Sequence, residues 1–350
     1  MGRQIIIAGL IAILAIFGNK TMYTRSIHRP NDPTMPVLTT RWVDNNQFYS
    51  IKSYYLQEYP FFKIFDRNHF FNNYLPTGSI SFRNNSEKTV DSTTITQLID
   101  ELIEEVNKKK KQFSHFKVLR KRNFNRNKIS GLLILKCKDY PFVVKLFIEN
   151  PNSFTNPYQK GIEPTIFFFM AGGINRHISG FTRIKNAQFI KNCIAHKPSL
   201  PVEFDVPRKW FYIPRGSKWM ELRGYNIGLN DQIVTKIPGT YCIIADEIKY
   251  ERKFSLLNKG DRQISMKFCN LVNFCIDPHI DNFMLEKETK KLVIVDTEHF
   301  PSITGLTNVD GIYTSQIRWY IDLSLKCLQD MYFRDKKTRK YIQHYGTHHY

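Results

Sequence analysis

Ile276-Asp277-Pro278-His279-Ile280-Asp281-Asn282-Phe283-Met284-Leu285, a charged turn at 286–291, and then Leu292-Val293-Ile294-Val295-Asp296 form the stretch on which the reading of this chain turns. Asp277 and Asn282 stand at an Asp-x4-Asn spacing, and Asp296 follows Asn282 by 14 residues, across two apolar runs that read as a β-hairpin. Phosphoryl transfer needs a lysine on the α/β-phosphates, carboxylate and amide oxygens for Mg²⁺, and a carboxylate beside the acceptor hydroxyl. In this stretch Asp277 would orient the acceptor, and Asn282 and Asp296 would bind metal. Singly, each has a plainer reading: Asp277 as a turn residue before Pro278, Asn282 as a loop hydrogen bonder, Asp296 as a strand-end cap. The joint spacing carries the argument.

Upstream, Ile264, Phe268, Leu271, Val272 and Cys275 recur with helical period, so a helix leads into the loop. Further back, residues 129–137 and 142–148 are β-rich runs around the turn Lys138-Asp139-Tyr140-Pro141, and the second places Lys145 among apolar neighbours. Lys145 is the candidate phosphate-binding lysine. Between Glu149 and Glu203 the only acidic residue is Glu163, 18 after Lys145, which makes it the candidate carboxylate to steady that lysine. Because Pro164 follows, Glu163 reads equally well as a helix N-terminal cap. A helix is expected from Pro164 to the Gly172-Gly173 stop, and another over 314–333.

These residues resemble the protein-kinase-like fold. The run from Asp277 to Asn282 is more similar to the Asp-Leu-His-Pro-Gly-Asn loop of aminoglycoside and choline-type phosphotransferases than to the His-Arg-Asp loop of eukaryotic kinases, because His279 stands two residues after Asp277. Asp296-Thr297-Glu298 takes the place of Asp-Phe-Gly, and Phe142-Val143-Val144-Lys145 that of Val-Ala-Ile-Lys. The resemblance covers roughly residues 113–333. It implies an α+β, two-lobed fold with an antiparallel β-rich N-lobe at 113–247 and a reduced helical C-lobe at 248–350; within the N-lobe the Pro- and Trp-containing stretch at 197–238 reads as a loop-rich insertion. The resemblance also implies ATP and Mg²⁺ (or Mn²⁺) as cofactors and a small-molecule or protein hydroxyl as acceptor. His279 would support the loop or contact metal or phosphate.

The departures are equally specific. A phosphate-covering loop belongs between the strand near 116–119 and the one near 129, yet residues 120–128 contain no glycine. Backbone N–H groups cannot approach phosphate closely there, so side chains must hold it, and Arg122, Arg126 and Lys128 are the candidates. Cys275 replaces the residue that often opens the catalytic loop, and no Ala-Pro-Glu segment follows Asp296. A pseudokinase that binds nucleotide or a partner without efficient transfer is therefore the alternative.

Residues 108–128 hold ten Lys or Arg interleaved with Phe113, Phe116 and Phe124, a solvated face or a grip for single-stranded nucleic acid. No RNP, KH or zinc-finger pattern accompanies them, which sets nucleic acid aside as a partner. The whole chain of 350 residues carries a formal charge of +20, so polyanions of some kind are attracted, and a basic nucleic-acid- or lipid-binding protein is the third reading. With 42% hydrophobic residues it can bury a sizeable core, and its six cysteines, without CxxC spacing, read as buried free thiols.

Residues 5–17 are unbroken apolar behind Arg3, a signal-peptide core in length, with an uncleaved membrane anchor as the alternative. The segment at 1–20 thus predicts an exported or membrane-anchored protein. An extension at 21–112 follows, irregular over 19–90 and then bearing one amphipathic helix marked by Ile95, Ile99, Leu102 and Val106. The C-terminal tail, with His344, His348 and His349, reads as frayed and polar.

Overall fold

The computed structural model describes residues 37–43, 47–52, 65–120, 124–152, 173–196, 202–225, 232–299, 315–318, 321 and 343–349. Residues 5–17, Arg122, Glu163, the helix expected from Pro164 and most of the one expected over 314–333 lie outside them. Among the described residues no helix is long and apolar enough to cross a membrane.

In chain order the elements begin with strands β1 (Val37–Trp42) and β2 (Gln47–Lys52), helix α1 (Arg67–Asn72), and a hairpin of β3 (Ser79–Phe82) and β4 (Asn85–Asp91). Helix α2 (Ser92–Asn107) starts where the Asp91 carboxylate accepts the Thr93 N–H at 2.7 Å, an N-cap that satisfies a donor the helix cannot. Then come β5 (Phe116–Arg120), β6 (Phe124–Asn125), β7 (Ser130–Cys137), β8 (Phe142–Ile148), helices α3 (Gly173–Gly180) and α4 (Thr182–Ala195), and strands β9 (Phe204–Asp205) and β10 (Lys209–Tyr212). The chain continues through β11 (Trp219–Tyr225), β12 (Gln232–Pro238), β13 (Thr240–Asp246), β14 (Tyr250–Lys253), α5 (Lys259–Leu271), a 3₁₀ turn at Ile280–Asn282, β15 (Phe283–Glu286), β16 (Leu292–Ile294) and β17 (Gln343–His349).

The protein is of the α+β class, and its sheets are rich in antiparallel strands. The central sheet runs β10-β13-β8-β7-β5, with β6 also on β7. Its two faces are both apolar, as strand alternation allows only when each face is covered. Leu135, Val144, Leu146 and Ile244 meet Ile95, Ile99 and Leu102 of α2 on one face. Leu132, Phe147, Phe211 and Ile243 meet Ile178, Phe181 and Ile184 of α3 and α4 on the other. A third cluster, built on Met266, Phe268, Phe283 and Ile294, joins α5 to β15 and β16, and Ile190 ties α4 to it. Each such side chain, fully buried, contributes about 1.5–3 kcal/mol of transfer free energy.

Three expectations are corrected. The 19–90 region is not irregular throughout, and the described residues of 197–238 are rich in strand: β1 and β2 join β11 and β12 in a second sheet ordered β12-β11-β1-β2-β17. β1–β2 and β11–β12 are pairs of strands adjacent in the chain, but Thr40 opposes Leu222 where the two pairs join, a partner too far away for any local period to reveal. Residues 343–349, expected as a frayed tail, form the edge strand of that sheet, with His344 opposite Ile51. A small sheet, β14-β15-β16-β9, carries the residues that follow the 276–282 loop.

Candidate active site

Between the central sheet and the β14–β16 sheet lies a cleft of ≈ 400 Å³. Its apolar walls are Leu119, Ile134 and Val143 from the central sheet, Ile248 from the segment joining the sheets, and Met284 and Val295 opposite. Lys145, Asn282 and Asp296 line the same cleft. The geometry thus brings together a lysine on β8, an amide at the end of the 3₁₀ turn and a carboxylate just past β16.

A chain of buried charges fixes the inner end. Lys145 Nζ is 3.2 Å from Asp296 Oδ1, and Arg183 Nε of α4 reaches the same oxygen at 2.8 Å. The Arg183 Nη2 group also donates to Glu298 Oε2 at 2.6 Å, and Ser179 Oγ donates to the other Glu298 oxygen. Lys209 Nζ donates to Thr297 Oγ1 at 2.6 Å, and that hydroxyl in turn donates to the Arg183 carbonyl at 2.6 Å. The Asn186 amide donates to the carbonyls of Cys275 and Thr297, tying α4 to the segments on either side of β15 and β16.

Burial alone would raise the Asp296 carboxyl, but Arg183 and Lys145 beside it hold it well below the usual carboxylate range. Burial pulls the Lys145 ammonium down to about 8 despite the opposing attraction of Asp296. Burial, then Lys145 nearby, also lowers Lys209 well below an ordinary lysine. Removing charge from water is expensive; Arg183 and Lys145 compensate the Asp296 carboxylate, whereas Lys209 meets the neutral Thr297 hydroxyl.

The loop before Asn282 is self-bonded. Asp277 Oδ1 accepts the His279 N–H at 3.1 Å, and the Asn282 amide donates to the Asp277 carbonyl at 2.9 Å. His279 Nδ1 accepts the Asp281 N–H at 3.3 Å, so His279 caps the 3₁₀ turn. The loop is preceded by Phe274 at φ 51°, a left-handed conformation costly for a bulky residue and held here by burial of its ring. Asp277 is half-buried and does not line the cleft.

Arg126 and Lys128 sit in the turn between β6 and β7 and do not line it either. Sequence reasoning missed Arg183 and Lys209, and it placed Thr297 and Glu298 beside Asp296 without their partners. The one available signal for Arg183 was a cation on the face of α4 that otherwise buries Ile184, Ala187 and Ile190.

Among the described residues no group of three or more His, Cys, Asp or Glu side chains could hold a metal by itself. Asp296 and Asn282 still fit Mg²⁺, which binds through one or two protein oxygens and completes its shell with water and phosphate. Asp296 is 24% exposed, and its Oδ2 has only a 3.5 Å contact with Arg183, so this oxygen is the less committed of the two. No family model, curated protein or solved structure matches the chain.

Proposed function

We propose that the chain is an ATP- and Mg²⁺-dependent phosphotransferase with a two-lobed, kinase-like arrangement, acting on a small-molecule or protein hydroxyl. The observation that carries the reading is the convergence of Lys145, Asn282 and Asp296 in one cleft that also has apolar walls. The apolar walls suit a nucleobase, which leaves the phosphates at Lys145. Asn282 and Asp296 would hold the metal, which when bound neutralises charge on the transferred group. Asp277 would accept the acceptor's proton once its bond to the His279 N–H loosens, and His279 keeps the loop in register.

A second reading, nucleotide binding without transfer, draws on two features of the site. Arg183 stands on Asp296 where the metal would compete, and the Asp277 carboxylate is turned to its own loop. Incubation with γ-labelled ATP and Mg²⁺ or Mn²⁺ separates the two. The phosphotransferase reading expects labelled product or released phosphate that falls by at least about 100-fold in Asp277→Asn. Nucleotide binding with no turnover in the wild type would assign the cleft to a pseudokinase.

A further inference from the structure

The phosphate end of this cleft lacks the feature that usually covers phosphates. Residues 120–128 contain no glycine, and Arg126 and Lys128 point to no part of the cleft lining. Strand register supplies a different group. Ile134 of β7 lies directly opposite Lys145 of β8, and Arg120 of β5 lies directly opposite Ile134. Residues opposed across antiparallel strands project from the same face, so Arg120, Ile134 and Lys145 form one row, and all three line the cleft. Two strand spacings place the backbones of Arg120 and Lys145 about 10 Å apart.

That placement depends on an irregularity. Val118 opposes Leu135 and Arg120 opposes Ile134, so Leu119 is an extra residue in β5. In unbroken register Leu119 would oppose Ile134 and Arg120 would oppose Leu133, which is buried on the sheet's other face with the residues of α2. A β-bulge of this kind re-aims a side chain at a strand end, and here it turns a cation into the cleft. The neighbouring cleft cation, Lys136, is already committed to Glu247 at 2.6 Å. The Arg120 guanidinium has no ion-pair or hydrogen-bond partner among the described residues.

We infer that Arg120, presented by the Leu119 bulge, binds the phosphates of the nucleotide in place of a glycine-rich loop. A guanidinium offers paired donors suited to phosphate oxygens and stays charged at any working pH. The inference rests on the nucleotide reading of the cleft and adds the residue that discriminates ATP from adenosine.

The test is calorimetric titration of the full chain with adenosine, ADP and ATP at fixed Mg²⁺, in the wild type, Arg120→Ala, Arg120→Lys and the exposed control Lys108→Ala. Arg120→Ala should weaken ATP by about tenfold or more and leave adenosine within about twofold, Arg120→Lys should recover part of the loss, and Lys108→Ala should change neither. Unchanged adenosine affinity also certifies that the Arg120→Ala chain is folded. ATP affinity equal in wild type and Arg120→Ala, or lowered as much by Lys108→Ala, overturns the role of Arg120 while leaving the cleft a nucleotide site. A wild type that binds neither adenosine nor ATP overturns the nucleotide reading and this inference with it.

Discussion

Lys145 lies 3.2 Å from a carboxylate and still titrates near 8, because burial outweighs the attraction of Asp296. Its pH dependence has two opposite signs. In the unfolded chain it deprotonates near the ordinary 10.5, so between about 8 and 10.5 the unfolded state holds more protons and this group's contribution to stability rises with pH. Over the same range the ammonium that would meet phosphate is lost. Nucleotide affinity should therefore fall above pH 8, by up to about tenfold per pH unit, in titrations from pH 7.5 to 9.5. Lys145→Arg, whose guanidinium stays charged, should flatten that profile. A wild-type affinity that holds steady to pH 9.5 would show that Lys145 does not meet the phosphates.

At the scale of elements, the position of Arg183 depends on how α3 and α4 seat against the central sheet. Gly180 ends α3 beneath Tyr241 and Phe147, whose rings stack at 4.7 Å. Tyr241 Oη donates to the His177 carbonyl, and a Cβ on residue 180 would strike that hydroxyl and the Phe147 ring. Gly180→Ala should destabilise the fold by about 1–3 kcal/mol, read as a lower urea midpoint at unchanged slope. A midpoint equal to that of the wild type would mean that α3 shifts freely, against the close packing described. Elements with a strong local period were legible from sequence: α2, α5, the β7–β8 hairpin and the β15–β16 pair all fall where apolar spacing puts them. The second sheet was not, because β1 and β11 acquire their meaning only on pairing, and a run such as Val37-Leu-Thr-Thr-Arg-Trp has no alternation that demands a strand.

For the whole molecule, the same distinction separates the legible part of the site from the rest. Lys145, Asn282 and Asp296 were read together because their order and spacing match what phosphoryl transfer would need, and the fold brings the three to one cleft. Arg183 and Lys209 were not, since a buried cation is recognisable only by the carboxylate or hydroxyl that folding brings to it. Arg120 depended on a one-residue bulge that sequence does not announce. The net charge of +20 would draw any polyanion to the surface, so the account stands on binding that depends on specific residues and not on charge alone. The most direct measurement is the thermal unfolding of the full chain with ATP, with and without Mg²⁺, beside Lys145→Ala and Asp296→Asn. At 100 times Kd a specific ligand stabilises by roughly 2.7 kcal/mol, a readily measured rise in Tm. The account predicts a Mg²⁺-dependent rise in the wild type that both substitutions abolish; no rise in the wild type, or an equal rise in all three proteins, would contradict it.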